Sequence, residues 1–135
     1  MRIRNVKRKL LYLVVITIVI LFTGFVVGCL SIGSAVKERC QVAKSQYSGD
    51  CVGALTALLN DQSKDFRSRN SAIWALGQLG DSKALPVLKS YYTGNIPPRE
   101  SLDNSLSQYE LKKAINLASG GFNLTSLILH PGHAE

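Results

Sequence analysis

The chain has 135 residues and a formal charge of +7, a balance that first suggests a nucleic-acid binder. The distribution of the charge excludes that reading. Arg2, Arg4, Lys7, Arg8 and Lys9 stand ahead of a long apolar run, and from Ser31 onward eleven Lys/Arg face nine Asp/Glu, so the remaining domain has no basic stripe to neutralise phosphates.

No charged side chain occurs between Leu10 and Ala35, and the run from Leu10 to Gly28 is almost wholly apolar. A helix rises ~1.5 Å per residue, so roughly 20 such residues cross a ~30 Å hydrocarbon layer with their backbone groups paired internally. The segment 10–30 is therefore expected to be a transmembrane helix or signal-anchor, between a basic cytoplasmic segment (1–9) and a helical repeat domain (31–135). Five cations before the run against Lys37 and Arg39 after it put the N-terminus in the cytoplasm and the domain in a periplasm or outside the cell. A cleavable signal has an apolar region of ~7–15 residues, shorter than this one, so the retained single-pass anchor is the expected reading. Val26-Val27-Gly28-Cys29 resembles the lipobox of bacterial lipoproteins, which makes Cys29 a candidate for lipidation; a Cys near the end of an apolar run is also an ordinary membrane residue. With either anchor the domain stays at the lipid bilayer.

Past a short link of small residues, Ser31–Ser34, helical periodicity resumes with Val36, Cys40, Ala43 and Tyr47 on one stripe. Ser48-Gly49-Asp50 breaks it, and Asp50 is placed to cap a second helix carrying Cys51, Leu55, Leu58 and Leu59. A Cys40–Cys51 disulfide is one candidate pairing, because such bonds persist outside the cytoplasm. If the first helix runs unbroken to Tyr47, however, Cys40 lies about 10 Å back along its axis, beyond the ~4.4–6.8 Å Cα separation of a bridge. The bridge then requires the helix to stop near Lys44, and two buried thiols are the favoured alternative.

After the polar turn Asn60–Ser63, Ala72, Ala75, Leu76 and Leu79 mark a third helix that ends at Gly80. Asp81 reads as the cap of a fourth, with Pro86 in its first turn and Gly94 at its end. Asn95–Glu100 is extended or turn-like because each residue before a proline is pushed out of the helical region. A fifth helix carries Leu111, Ala114, Ile115 and Ala118 and closes at Gly120-Gly121; Phe122–His130 is read as a short last turn or helix. No strand-like alternation appears, so the fold class is all-α.

The helices also repeat. Ser48-Gly49-Asp50 aligns with Leu79-Gly80-Asp81, and Ala54-Leu55-Thr56-Ala57-Leu58 with Ala84-Leu85-Pro86-Val87-Leu88; Lys113-Ala114-Ile115 opens a third copy. The pattern predicts about two and a half antiparallel helical hairpins stacked as a short α-solenoid. Within it, Arg69, Ala72, Ala75-Leu76-Gly77, Leu79-Gly80-Asp81 and Ala84-Leu85-Pro86-Val87-Leu88 resemble the short HEAT-like repeat also found in phycobilin lyases. Asp65, four residues before Arg69, matches the acidic partner of that pattern, in a pair worth ~0.2–0.5 kcal/mol. The chain as a whole is similar to small bacterial membrane proteins with HEAT repeats. The resemblance implies the fold and an interaction role; one repeat shared with an enzyme family carries no lyase activity.

Reactive constellations are sparse. His130 and His133 stand near Glu135 without further ligands, so no metal site is read, and no cofactor, phosphate cradle or small-molecule site either. Cys40 with a histidine as base is set aside because Cys40 lies on an apolar stripe. The sequon Asn123-Leu124-Thr125 has meaning only in a eukaryotic secretory route. Trp74 is expected in the core. Tyr91, Tyr92, Pro97, Pro98 and Arg99 are the candidate interaction surface, since Tyr and Arg are enriched at interfaces and loops between repeats often carry binding, with a structural role the favoured reading for Tyr91 itself. The expected function is non-catalytic: a membrane-held helical domain for a protein partner that the sequence does not identify, or a structural subunit of an envelope complex.

Overall fold

Every element is helical in the computed structural model, which describes residues 2–122, with side chains from Val6 onward. In order they are α1 (Arg2–Gln46), α2 (Cys51–Asn60), α3 (Phe66–Leu79), a 3-10 turn (Ser82–Ala84), α4 (Leu85–Tyr91) and α5 (Gln108–Ala118). No strand occurs among the described residues. The chain divides into two units between Ile32 and Gly33.

In the first unit the apolar side chains from Leu10 to Leu30 are exposed, on a helix long and apolar enough to cross a membrane. Three of its hydroxyls have partners inside the helix: Thr17, Thr23 and Ser31 donate to the carbonyls of Leu13, Val19 and Val27 at 2.9, 2.8 and 2.8 Å. A helix in hydrocarbon needs this, because no water is there to take the bond. The expected link at Ser31–Ser34 does not interrupt α1. Those residues include no proline and no positive-φ glycine, and Ser31 already returns its hydroxyl to the preceding turn.

The second unit is built on the predicted stripes. Val36 and Ala43 of α1, Leu55 and Leu59 of α2, Ala72 and Leu76 of α3, Leu88 of α4 and Leu111 of α5 are all buried in one core, joined by Ile73 from beside the α3 stripe. Three side chains cap helices, each cap contributing about 0.5–2 kcal/mol: Asp50 accepts from Gly53 N–H at 2.7 Å, Asp65 from Ser68 N–H at 2.8 Å, and Ser107 from Glu110 N–H at 3.0 Å. Gly80 ends α3 in the left-handed region (φ 66°) that only glycine enters without strain. Asp81 caps the 3-10 turn rather than α4, which starts four residues after Asp81 at Leu85 with Pro86 in its first turn. α4 ends at Tyr91, before Gly94, where the Tyr92 N–H closes onto the Lys89 carbonyl.

Two contacts set α3 against α5. Asn70 accepts the Ser107 N–H at 2.8 Å, and a Cβ on Gly77 would lie 2.8 Å from Ala114 Cα. Both pairs are 37 residues apart, so the helices run parallel and in step. Tyr91, at the end of α4, lies over Arg69 near the start of α3, which makes α4 antiparallel to α3.

The α1–α2 pair departs from the expected hairpin. α1 continues to Gln46, yet Cys40 and Cys51 are bonded with Cα atoms 5.3 Å apart. The expectation that a bridge needs an early helix stop placed α2 beyond the end of α1. The link Tyr47–Asp50 instead returns the chain about 10 Å alongside the helix, within the ~13 Å that four extended residues span. Tyr47 also donates to Asp61, just past α2, at 2.5 Å. An α2 running back along α1 would carry Asp61 about 25 Å from Tyr47, far beyond side-chain reach. α2 therefore crosses α1 at an acute angle, and the two do not form an antiparallel pair.

Gly77→Ala tests the α3–α5 crossing. Alanine is the better helix former by about 1 kcal/mol, but its methyl would meet the backbone of Ala114. The overpacking cost of about 1–3 kcal/mol should prevail, lowering the thermal midpoint of the full-length protein in detergent by several degrees; an unchanged or raised midpoint contradicts the contact.

Candidate interaction surface

The segment from Thr93 to Ser107 joins α4 to α5, and side chains from elsewhere fasten both of its flanks. At its start, Thr93 donates its N–H and hydroxyl to Gln108 Oε1 at 2.8 and 3.0 Å. At its end, Glu100 folds back on the first turn of α5: it accepts the N–H groups of Gln108 and Tyr109 at 2.6 and 3.1 Å and the Ser107 hydroxyl. A carboxylate at a helix N-terminus satisfies donors that have no partner within the helix and meets the positive end of its dipole. From below, Asn70 donates to the carbonyls of Leu102 and Ser105 at 3.0 and 2.9 Å. Arg67 adds a two-pronged bond to Asp103 at 2.9 and 3.3 Å on the exposed side.

Between these fastenings Pro97, Pro98 and Arg99 are exposed. Leu102 and Tyr109 are further exposed apolar side chains, 47% and 56% accessible. Tyr91 and Tyr92 sit differently, both partly buried against the core. Tyr91 donates its hydroxyl to Asn60 at 3.0 Å, and its ring lies 5.8 Å from the Arg69 guanidinium, which is also 5.7 Å from the Phe66 ring. Of the five residues expected to form a surface, the three loop residues are presented to solvent, and the tyrosines are half withdrawn into packing. Trp74 is half-buried against the same core.

Arg69 does not pair with Asp65. Asp65 gives its two oxygens to the Ser68 N–H and hydroxyl, while Arg69, 7% exposed, donates Nε to the Leu59 carbonyl at 2.8 Å. The arginine of the repeat thus terminates the preceding helix. A cation beside the negative end of α2, flanked by two rings, is stabilised there without a carboxylate.

An open cleft of about 330 Å³ lies elsewhere in the unit, lined by Val36, Lys37, Cys40, Lys44, Cys51 and Leu79 among others. Cys40 and Cys51 are bonded in its wall, both partly exposed. Cys29 is a free thiol within α1. No cluster of His, Cys, Asp and Glu suited to a metal occurs among the described residues. His130, His133, Glu135, the sequon at Asn123 and most of the predicted last helix lie outside those residues.

The family model for HEAT repeats aligns with residues 34–101. The chain belongs to the HEAT-repeat family. The matched region runs from the second half of α1 to the middle of the fastened loop, so α5 follows the HEAT match and packs in step with α3 inside it. No curated protein and no solved structure is significantly similar to the chain.

Glu100, Asn70 and Gln108 are the residues that sequence reading misses. Ser107-Gln108-Tyr109-Glu110 has the capping-box spacing that announces a helix start. Nothing local announces that Asn70, 37 residues earlier, takes the Ser107 N–H that Glu110 would take in such a box.

Two predictions follow from these bonds. Glu100→Ala removes the acceptor of the first α5 amides, so hydrogen exchange at Gln108 and Tyr109 should accelerate, with a cost of about 0.5–2 kcal/mol; unchanged exchange contradicts the cap. For Asp61, hydrogen bonds from Ser63 and then Tyr47 hold the carboxyl down at about 2, against an ordinary 3.8. Because the folded value is depressed, its stabilisation is present above the unfolded value and is lost as pH falls from about 4 to about 2. Tyr47 is raised by the same bond, so its contribution is lost as pH rises past 10. Asp61→Asn should therefore flatten the fall in unfolding midpoint between pH 4 and 2, and parallel profiles for the two proteins would refute the bond.

Proposed function

We propose that this protein is a membrane-anchored, non-catalytic interaction module whose HEAT-repeat domain presents the Pro97-Pro98-Arg99 loop to a protein partner outside the cytoplasm. The observation that carries the reading is the loop itself, three exposed residues held between side-chain fastenings on both flanks. A segment already ordered before binding loses little conformational entropy on contact, so its apolar and cationic groups convert efficiently into affinity. Two prolines reinforce this by fixing their own backbone.

The anchor reading rests on the exposed apolar run and the internally bonded hydroxyls of α1. The five cations before that run support an N-terminus in the cytoplasm, with the domain periplasmic or extracellular. Tethering confines the domain to a layer near the bilayer and raises its effective concentration toward membrane partners. The helices of the second unit are proposed as a short α-solenoid extended by α5, since α3 and α5 run parallel in step. Retention of α1 is preferred over lipidation at Cys29, because the apolar run is longer than a cleaved signal requires.

A photo-crosslinking side chain placed at Pro98 in native membranes should give one discrete protein adduct, absent when the same probe stands at exposed Ser82 and lost on Arg99→Glu. Equal labelling from both positions, or none, would contradict the reading. In the same membranes the intact chain should resist extraction by alkaline carbonate and yield to detergent; release by carbonate argues against the anchor.

A further inference from the structure

The Cys40–Cys51 bond lies in the wall of the open cleft, and neither cysteine is buried. Lys37 and Lys44, which line the same cleft, stand three residues before and four after Cys40 on α1. Residues at those spacings are neighbours on one helix face, about 5–6 Å apart at Cβ. Both lysines therefore share the helix face of Cys40 and line the same cleft. Asp50, the carboxylate next to Cys51, has Lys83 at 4.0 Å, which leaves the local balance positive. Other interactions join α1 to the domain without the bond: Val36 and Ala43 are buried in the core, and Tyr47 is bonded to Asp61.

We propose that Cys40–Cys51 is a thiol–disulfide exchange site, open in the folded protein and selective for anionic thiols. The incoming thiolate attacks Cys51 Sγ, forming a mixed disulfide while the bond to Cys40 breaks. Cys40 leaves as a thiolate beside Lys37 and Lys44 and takes a proton from water. A sulfur whose thiolate is stabilised is the better leaving group, which sets the direction of attack. A second thiol then attacks the mixed disulfide, releasing Cys51 and the oxidised thiol dimer. Two thiols thus supply the two electrons that reduce the bond. Cations on both sides of Cys40 favour an attacking molecule that carries negative charge besides its thiolate.

The test uses the full-length oxidised protein in a non-ionic detergent, treated with glutathione or with 2-mercaptoethanol, then alkylated and mapped by mass spectrometry. Both reagents should reduce the bond without denaturant, with the mixed disulfide on Cys51. Lys37→Glu with Lys44→Glu should slow glutathione about tenfold and 2-mercaptoethanol no more than about threefold, the scale expected when a local charge patch steers a charged reactant. Circular dichroism of the variant controls for folding. A bond that resists both reagents until urea unfolds the chain, a mixed disulfide on Cys40, or equal slowing of the two reagents would overturn the proposal.

Discussion

Two adjacent buried side chains, Arg69 and Asn70, hold the ends of three structural segments together. They are 7% and 6% exposed, and polar groups so placed are costly unless every bond is made, at about 1–3 kcal/mol for each group left unpaired. Both are satisfied, in different directions. Arg69 closes the Leu59 carbonyl at the end of α2, while Asn70 takes two loop carbonyls and the N–H of Ser107 ahead of α5. α3 is thereby a shared wall, bonded to the helix before it and to the loop and helix after it. Apolar burial supplies the driving force, and these polar contacts determine which segment ends meet.

The display of the loop follows from that constraint. A connection of this length between two helices would ordinarily be mobile. Here Asn70 holds its carbonyls from below, Glu100 binds it to the first turn of α5 and Gln108 ties down Thr93. Those bonds use the inward-facing groups of the segment and leave Pro97, Pro98 and Arg99 outside. The exposure of these three residues thus depends on the order of the frame around them.

Much of this was legible from residues alone. The long apolar run, the helical stripes, the caps at Asp50 and the end of α3 at Gly80 are local signals, and the HEAT pattern around Arg69–Leu88 is a local motif. What stayed hidden is long-range. Asp65 and Arg69 have ideal spacing for a pair, yet a nearby serine and a distant carbonyl are better partners for them. The path of the Tyr47–Asp50 link depends on where α2 packs, so a distance argument along one helix axis misplaced Cys51. For Tyr91 the sequence favours a structural role over a surface one but does not name its partners, Arg69 and Asn60, which come from distant positions. Gly77 belongs to the motif, but its reason, the backbone of α5 crossing beside it, appears only in three dimensions.

The central claim is that Asn70 and its neighbours hold the loop in one conformation before any partner arrives. Backbone ¹⁵N relaxation of the full-length protein in detergent micelles addresses it directly, through the amides of Ile96, Arg99 and Glu100. Order parameters near 0.85, the level of rigid backbone, are predicted in the native protein, with a clear fall on Asn70→Ala. Values below about 0.6 in the native protein, or no response to that substitution, would contradict the account.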